Sequence, residues 1–359
     1  MFDRRIILAG GLAAAGFGTP VFAAPMTDQI DRIDGVVAEF GFNGVVLLGD
    51  HGRATFRKAY GLADAETNRP ASPADRYVIA SISKWLTVAA VLRLVEQGTM
   101  RLDMTVADGL PSFRDRPGGR VALHQLLSNT SGIPNLFGPA VRADPALTSS
   151  TLSAAQAADA FCSGELIFEP GARFDYALTN WILVIALVEA AAGRPFERVV
   201  DDLVVTPLRL RDTGVAGDDF ADRPDTAKAY ATLVPPTLKM ARRPAFLAAA
   251  GGFCSTADDL LRAAWGVFDT PLLTPISRAE MLTVRVPEQH YALGGRVASL
   301  TTPQGVRSAA WETGRTEGYR SVLAHVLDDK RTVVLLNNTD LSQQTMDRIA
   351  LRLLDADWA

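Results

Sequence analysis

The periodicity of this chain changes twice, and that most limits what it can fold into. Near the start, "GVVLLGD" (44–50) and "ATFRKAYGLAD" (54–64) read as two strands joined at "DHGR", a hairpin. Near the end, "YALGGRVASL", "GVRSAAWETG", "YRSVLAHVLDD" and "RTVVLLNN" follow one another as strands. Between them, from about 101 to 285, the pattern is mostly helical, broken by loops such as "SNTSGIPNLFGP" and "EPGARF". Residues 26–40, 81–98, 154–162, 180–192 and 342–355 read as helices. Strand-rich ends that enclose a helical middle predict a two-lobed α+β fold. Its antiparallel sheet comes from the N- and C-terminal segments, is flanked by helices, and carries an inserted, mainly helical lobe over about 101–285. The groove between two such lobes is the expected binding site.

The 359 residues are 48% hydrophobic and 21% charged, enough for a substantial core. With a formal net charge of −4, no basic run and no acidic tail, the chain offers nucleic acid no electrostatic footprint. Residues 1–24 read differently: a charged start, a small-residue apolar stretch and an exit at Val21-Phe22-Ala23. That is the pattern of a secretory signal, which would leave a domain over 25–359. Arg4-Arg5 before Ile6-Ile7-Leu8 resembles a twin-arginine export signal, so a periplasmic or secreted location is expected. A retained membrane anchor is the alternative, but the glycines, alanines and Pro20 make a poor span. No second apolar stretch suggests an integral span after signal removal. An exported protein could pair Cys162 with Cys254; two buried free thiols are the other reading.

Several chemistries are disfavoured by spacing alone. His51, His124, His290 and His325 form no H-x-H or H-E-x-x-H, so no metal is expected. There is no G-x-S-x-G elbow, no G-x-G-x-x-G between strand and helix and no Walker A sequence, so no cofactor is expected. What stands out is "SISKWLTVAAVLRL" (81–94). Ser81 and Lys84 are three residues apart, one helical turn, and so share a face. Ser83 points about 200° away from Ser81 on a helix of 3.6 residues per turn. A lysine that opens an apolar helix is desolvated, which lowers its pKa and makes it a usable base. Of the five lysines only Lys84 has a serine three residues before it.

From this point the chain resembles the serine hydrolases typified by class C β-lactamases, D-alanyl-D-alanine peptidases and related esterases. The S-x-x-K is Ser81–Lys84; "NTSG" (129–132), "EPGARFDYAL" (169–178), "TPLRLRDTGV" (206–215), "AAGGFCSTADDL" (249–260) and "WETGRTEGYRS" (311–321) follow in the family's order. The resemblance implies that Ser81 attacks a carbonyl and forms an acyl-enzyme, with Lys84 and Tyr176 moving its proton. A tyrosine of pKa ~10 is a poor base, and a lysine beside it would favour the phenolate. The resemblance also implies an oxyanion hole from the amides of Ser81 and Arg315, and a substrate wall formed by Glu312, Thr313, Gly314, Arg315 and Leu178.

Three departures matter. Leu178 stands where the family usually has Asn, and it can make neither of the amide's hydrogen bonds. Glu312 replaces a Lys or His, and an anion there would repel a substrate carboxylate. Asn129 replaces the usual His. Glu312 could select a neutral or cationic substrate, could pair with Lys84 or an arginine, or could mark a degenerate site. The expected activity is therefore hydrolysis of a small or peptide-like ester or amide, without efficient β-lactamase action. A cell-wall D-alanyl peptidase or penicillin-interacting enzyme, and a non-catalytic binding protein on the same fold, are the alternatives.

Overall fold

The computed structural model describes residues 26–359, apart from positions 218 and 241. The expected export signal over 1–24 lies outside the described residues. The chain enters through α1 (Met26–Glu39), β1 (Gly44–Asp50) and β2 (Arg53–Tyr60). Between the two sets of strands run α2 (Ser83–Glu96), which precedes the expected 101–285 lobe, and α3 (Leu178–Ala192) and α4 (Ala257–Asp269) within it. The chain then returns as β3 (Arg296–Thr302), β4 (Gly305–Thr316), β5 (Tyr319–Val326) and β6 (Arg331–Asn337). It closes with α5 (Gln343–Leu354) and the short β7 (Asp357–Trp358). The seven strands form one antiparallel sheet in the order β7-β3-β4-β5-β6-β1-β2. The N- and C-terminal segments meet where β1 pairs with β6, with Gly44 opposite Asn337.

Strand alternation splits the apolar residues between two cores. Val46, Leu48, Val333 and Leu335 face Ile33 and Val37 of α1 and Met346 and Ile349 of α5. Their neighbours Val45, Leu47, Val334 and Leu336 face the inserted lobe. Covered on both faces, β5 is buried along its whole length. The same logic explains α2, which is apolar all round because it runs through the lobe's centre. Val88, Ala89, Ala90 and Val91 have no exposed surface. The equally apolar α3 stops at Gly193, which takes up a left-handed φ of 66° that closes the helix.

Two local readings differ from the sequence expectation. "YALGGRVASL" becomes a strand only at Arg296. Its first half passes too close to α2 to pair: a Cβ on Gly295 would lie 2.0 Å from Trp85 Nε1. The 101–285 stretch also contains small sheets, including a hairpin of Ala229–Leu233 with Pro236–Lys239. Their turns bring Lys239 and the following arginines toward the groove. Cys162 and Cys254 are buried free thiols. Among the described residues, no helix is long and apolar enough to cross a membrane.

Candidate active site

Ser81 sits in a single 3-10 turn, Ala80–Ile82, immediately before α2 begins at Ser83. Ala80 has φ +46°, a left-handed conformation that costs a residue with a Cβ about 1–2 kcal/mol. Such strain persists where surrounding contacts over-determine it. Here Ile79 N–H donates to Phe253 O at 2.9 Å, and Ser321 Oγ donates to Ile79 O at 2.9 Å. Ser83, fully buried, donates through Oγ to Ala80 O at 2.6 Å and accepts from the Phe253 amide at 3.2 Å. Ser83 therefore holds the turn, and Ser81 is left to face the groove.

Three side chains converge on Ser81. Its Oγ stands 2.8 Å from Lys84 Nζ and 2.8 Å from Tyr176 OH. Lys84 has no exposed surface, and its Nζ also donates to Ala250 O at 2.5 Å. The rings of Tyr176 and Trp181 lie 4.9 and 5.4 Å from the same nitrogen. Burial brings the Lys84 pKa down to about 7; the charge of Glu312 works against that shift, and Arg243 and Arg296 reinforce it. An amine that loses its proton near neutrality, within proton-transfer reach of a hydroxyl, can act as a base.

Tyr176 does not follow the expectation of a lysine-stabilised phenolate. Burial, and then the negative charge of Glu312, push its phenol up, while the hydrogen bond to Ser81 opposes them. Tyr176 is thus a neutral hydrogen-bond partner and proton donor at pH 7. Tyr176 as a whole residue is 38% exposed.

Strand β4 forms the opposite wall. Its pairing with β3 ends at Trp311, opposite Arg296, so the β3-side edge beyond Trp311 has no strand partner. Gly314 touches the Ser81 turn so closely that a Cβ there would lie 2.2 Å from Ile79 O. Only glycine permits that approach. Glu312, on the same strand face, is 1% exposed. It meets Arg296 instead of Lys84 directly, with Oε2 3.7 Å from the guanidinium. Burial raises its pKa to about 7, against the pull of Arg296 and Lys84. Thr313 points to the other face, where it lines a cleft with Trp311 and Asp347. It does not share the Ser81 groove. Arg315 and Leu178 line one cavity, of about 480 Å³, between β4 and the inserted lobe; Ser81, Lys84 and Tyr176 are not among its lining residues. Asn180 is no substitute for the missing amide: it turns inward, donating to Asn129 Oδ1 at 3.1 Å and accepting from Ser131 Oγ at 2.5 Å.

Sequence reasoning did not single out Arg296, Tyr291 or Arg243. The unpartnered Tyr291 hydroxyl is buried beside Tyr176, with ring centroids 6.4 Å apart. Arg243 donates to Thr316 Oγ1 at 2.8 and 3.3 Å. "GGR" ahead of a strand was the one local signal for Arg296; the other two carry none.

The chain matches the family model described as Beta-lactamase over residues 30–357. It is 35% identical to Esterase EstB of Burkholderia gladioli over 205 residues, which are 54% of this chain and 52% of that one. The match thus spans about half the length of that relative. The fold is similar to a penicillin binding protein from Bacillus halodurans, with a TM-score of 0.77 and 23% identity over 89% of this chain and 98% of the other. It is also similar to a D-stereospecific amidohydrolase from Streptomyces sp., with a TM-score of 0.73 and 25% identity over 90% and 98%.

Proposed function

The chain belongs to the Beta-lactamase family, and on that premise we propose that it is a serine hydrolase that cleaves an ester or amide through an acyl-enzyme on Ser81. One observation carries the reading: a lysine with a pKa near 7 held 2.8 Å from the Oγ of a serine in a strained turn. Ser81 Oγ attacks the carbonyl carbon while its proton passes to Lys84 Nζ. The oxyanion is taken up by the amides of Ser81 and Arg315, the latter on the open edge of β4. Tyr176 then gives its phenolic proton to the leaving oxygen or nitrogen and recovers one from Lys84. Water repeats the sequence on the acyl-enzyme.

Ester cleavage is favoured over β-lactam cleavage. The resemblance puts a cation where this chain has Glu312 and an amide where it has Leu178. The export of the protein, by the signal-like residues 1–24, rests on sequence pattern alone. The test is direct. After brief mixing with a 4-nitrophenyl ester and acid quench, mass spectrometry should find one acyl group on the peptide that holds Ser81. An adduct elsewhere, or hydrolysis with Ser81 never modified, would remove the proposal.

Glu312 supplies a second test. Its charge holds the Lys84 pKa up, so Glu312→Gln should let it fall. The rising limb of the kcat/KM profile is expected to move toward acid by about 1 unit. A shift toward alkali would show that Lys84 is not the titrating base.

A further inference from the structure

The cavity lined by Leu178 and Arg315, which lie two residues after Tyr176 and one after Gly314, does not include Ser81 itself, and it has a positive end that the reaction above does not use. Two acids line it, Glu317 and Asp340, and both are already engaged. Lys239 contacts Glu317 at 3.1 Å and Asp340 at 2.6 Å, and Arg320 reaches Asp340 at 2.9 Å. Arg320 is further committed to the carbonyls of Thr316 and Tyr319, at 2.7 and 2.8 Å. Arg242, Arg243 and Arg315 line the same cavity and have no carboxylate within 4.0 Å among the described residues.

Since Arg242 is exposed, Arg243 is the best placed of the three. Its Nε and one terminal nitrogen both rest on Thr316 Oγ1, which fixes the guanidinium against β4 two residues beyond Gly314. Its charge is felt at both Lys84 and Tyr176. A half-buried guanidinium without a counter-ion is costly to hold, and a bound carboxylate relieves that cost. Leu178, Leu247, Phe137 and Val141 give the cavity wall an apolar stretch. Glu312, which the sequence suggested would repel an anion, is buried against Arg296 and does not line this cavity.

Building on the serine-hydrolase reading, we infer that Arg243, assisted by Arg315, selects an ester or amide with an apolar body that ends in a carboxylate. The substitution at Glu312 thus moved the anion-recognising cation from β4 to the segment before Pro244. Leu178 fits the same picture, because a methylene chain gains contact where an amide side chain would have offered polar atoms.

The experiment compares 4-nitrophenyl hexanoate with mono-4-nitrophenyl adipate, and phenyl hexanoate with its 3-carboxyphenyl counterpart, so that the carboxylate is tried on each side of the ester. In at least one pair the anionic ester should have a kcat/KM at least about tenfold higher, expressed mainly in KM. Arg243→Gln should collapse that ratio toward one, and Arg243→Lys should keep part of it. Calorimetric binding of adipate and hexanoate to Ser81→Ala supplies a readout independent of turnover, and Arg243→Gln in that background should remove the preference for adipate. A wild-type enzyme with no preference in either pair, or one whose ratio survives Arg243→Gln, overturns the inference. Arg243-dependent adipate binding with no ester turnover would instead overturn the hydrolase reading alone.

Discussion

Ser81→Ala is expected to reduce ester hydrolysis by about 10⁴-fold or more, because removal of the nucleophile leaves only binding and oxyanion contacts to act on a chance water. The fold should not suffer. The lost hydroxyl bonds only Lys84 and Tyr176, at 2.8 Å each, and neither bond ties secondary structure together. The turn itself is held by Ser83, whose hydroxyl bridges Ala80 and Phe253. A melting temperature equal to or slightly above that of the wild type is therefore expected alongside the loss of activity. Ser83→Ala should give the opposite pair of results. It frees Ala80 O and the Phe253 amide in the core at a cost of about 1–3 kcal/mol, while the nucleophile remains. If Ser81→Ala kept wild-type turnover, the alternative of a binding protein with adventitious esterase activity would become the better account.

These contrasting neighbours show how much of the site was legible in sequence. A three-residue spacing and the apolar run after Lys84 were enough to pair Ser81 with the lysine and to turn Ser83 inward, because helix geometry settles both. The sheet was legible for a similar reason. Strands such as "RTVVLLNN" send alternate residues to two cores, and that arrangement needs helices on both faces. Charge compensation was not legible. Whether Glu312 would meet Lys84, an arginine or substrate depends on where β3 begins, and the close passage of Gly295 over Trp85 bears on that. Arg243 lies 69 residues from Glu312 and reaches the groove through a loop that no periodicity marks. The upward shift of the Tyr176 phenol was hidden too, because it depends on burial and on Glu312 more than on the neighbouring lysine.

Lys84→Met brings these threads together, since the lysine is a cost to the fold and a condition of the chemistry. Loss of the general base should lower kcat/KM by about 10²–10⁴-fold. In the wild type the rate should rise with pH through about 7, as Lys84 gives up its proton. Residual activity in Lys84→Met should lack that limb. The stability effect has the opposite sign. Unfolded, the lysine binds a proton below its ordinary 10.5; folded, it resists until about 7. Between those values the unfolded chain holds more protons, so the wild type loses stability as pH falls from 10.5 toward 7. At about 1.4 kcal/mol per pH unit, the penalty at neutrality is at most about 5 kcal/mol. The mutation also strands Ala250 O, which costs about 1–3 kcal/mol. Lys84→Met should therefore melt at or above the wild-type temperature at pH 7, and its advantage should shrink as the pH is raised toward 10. An advantage that grew with pH would mean that the folded protein holds Lys84 charged, with its pKa above the ordinary 10.5, as a paired cation. The methionine variant would then have lost a salt-bridging cation, and Ser81 would need a different base.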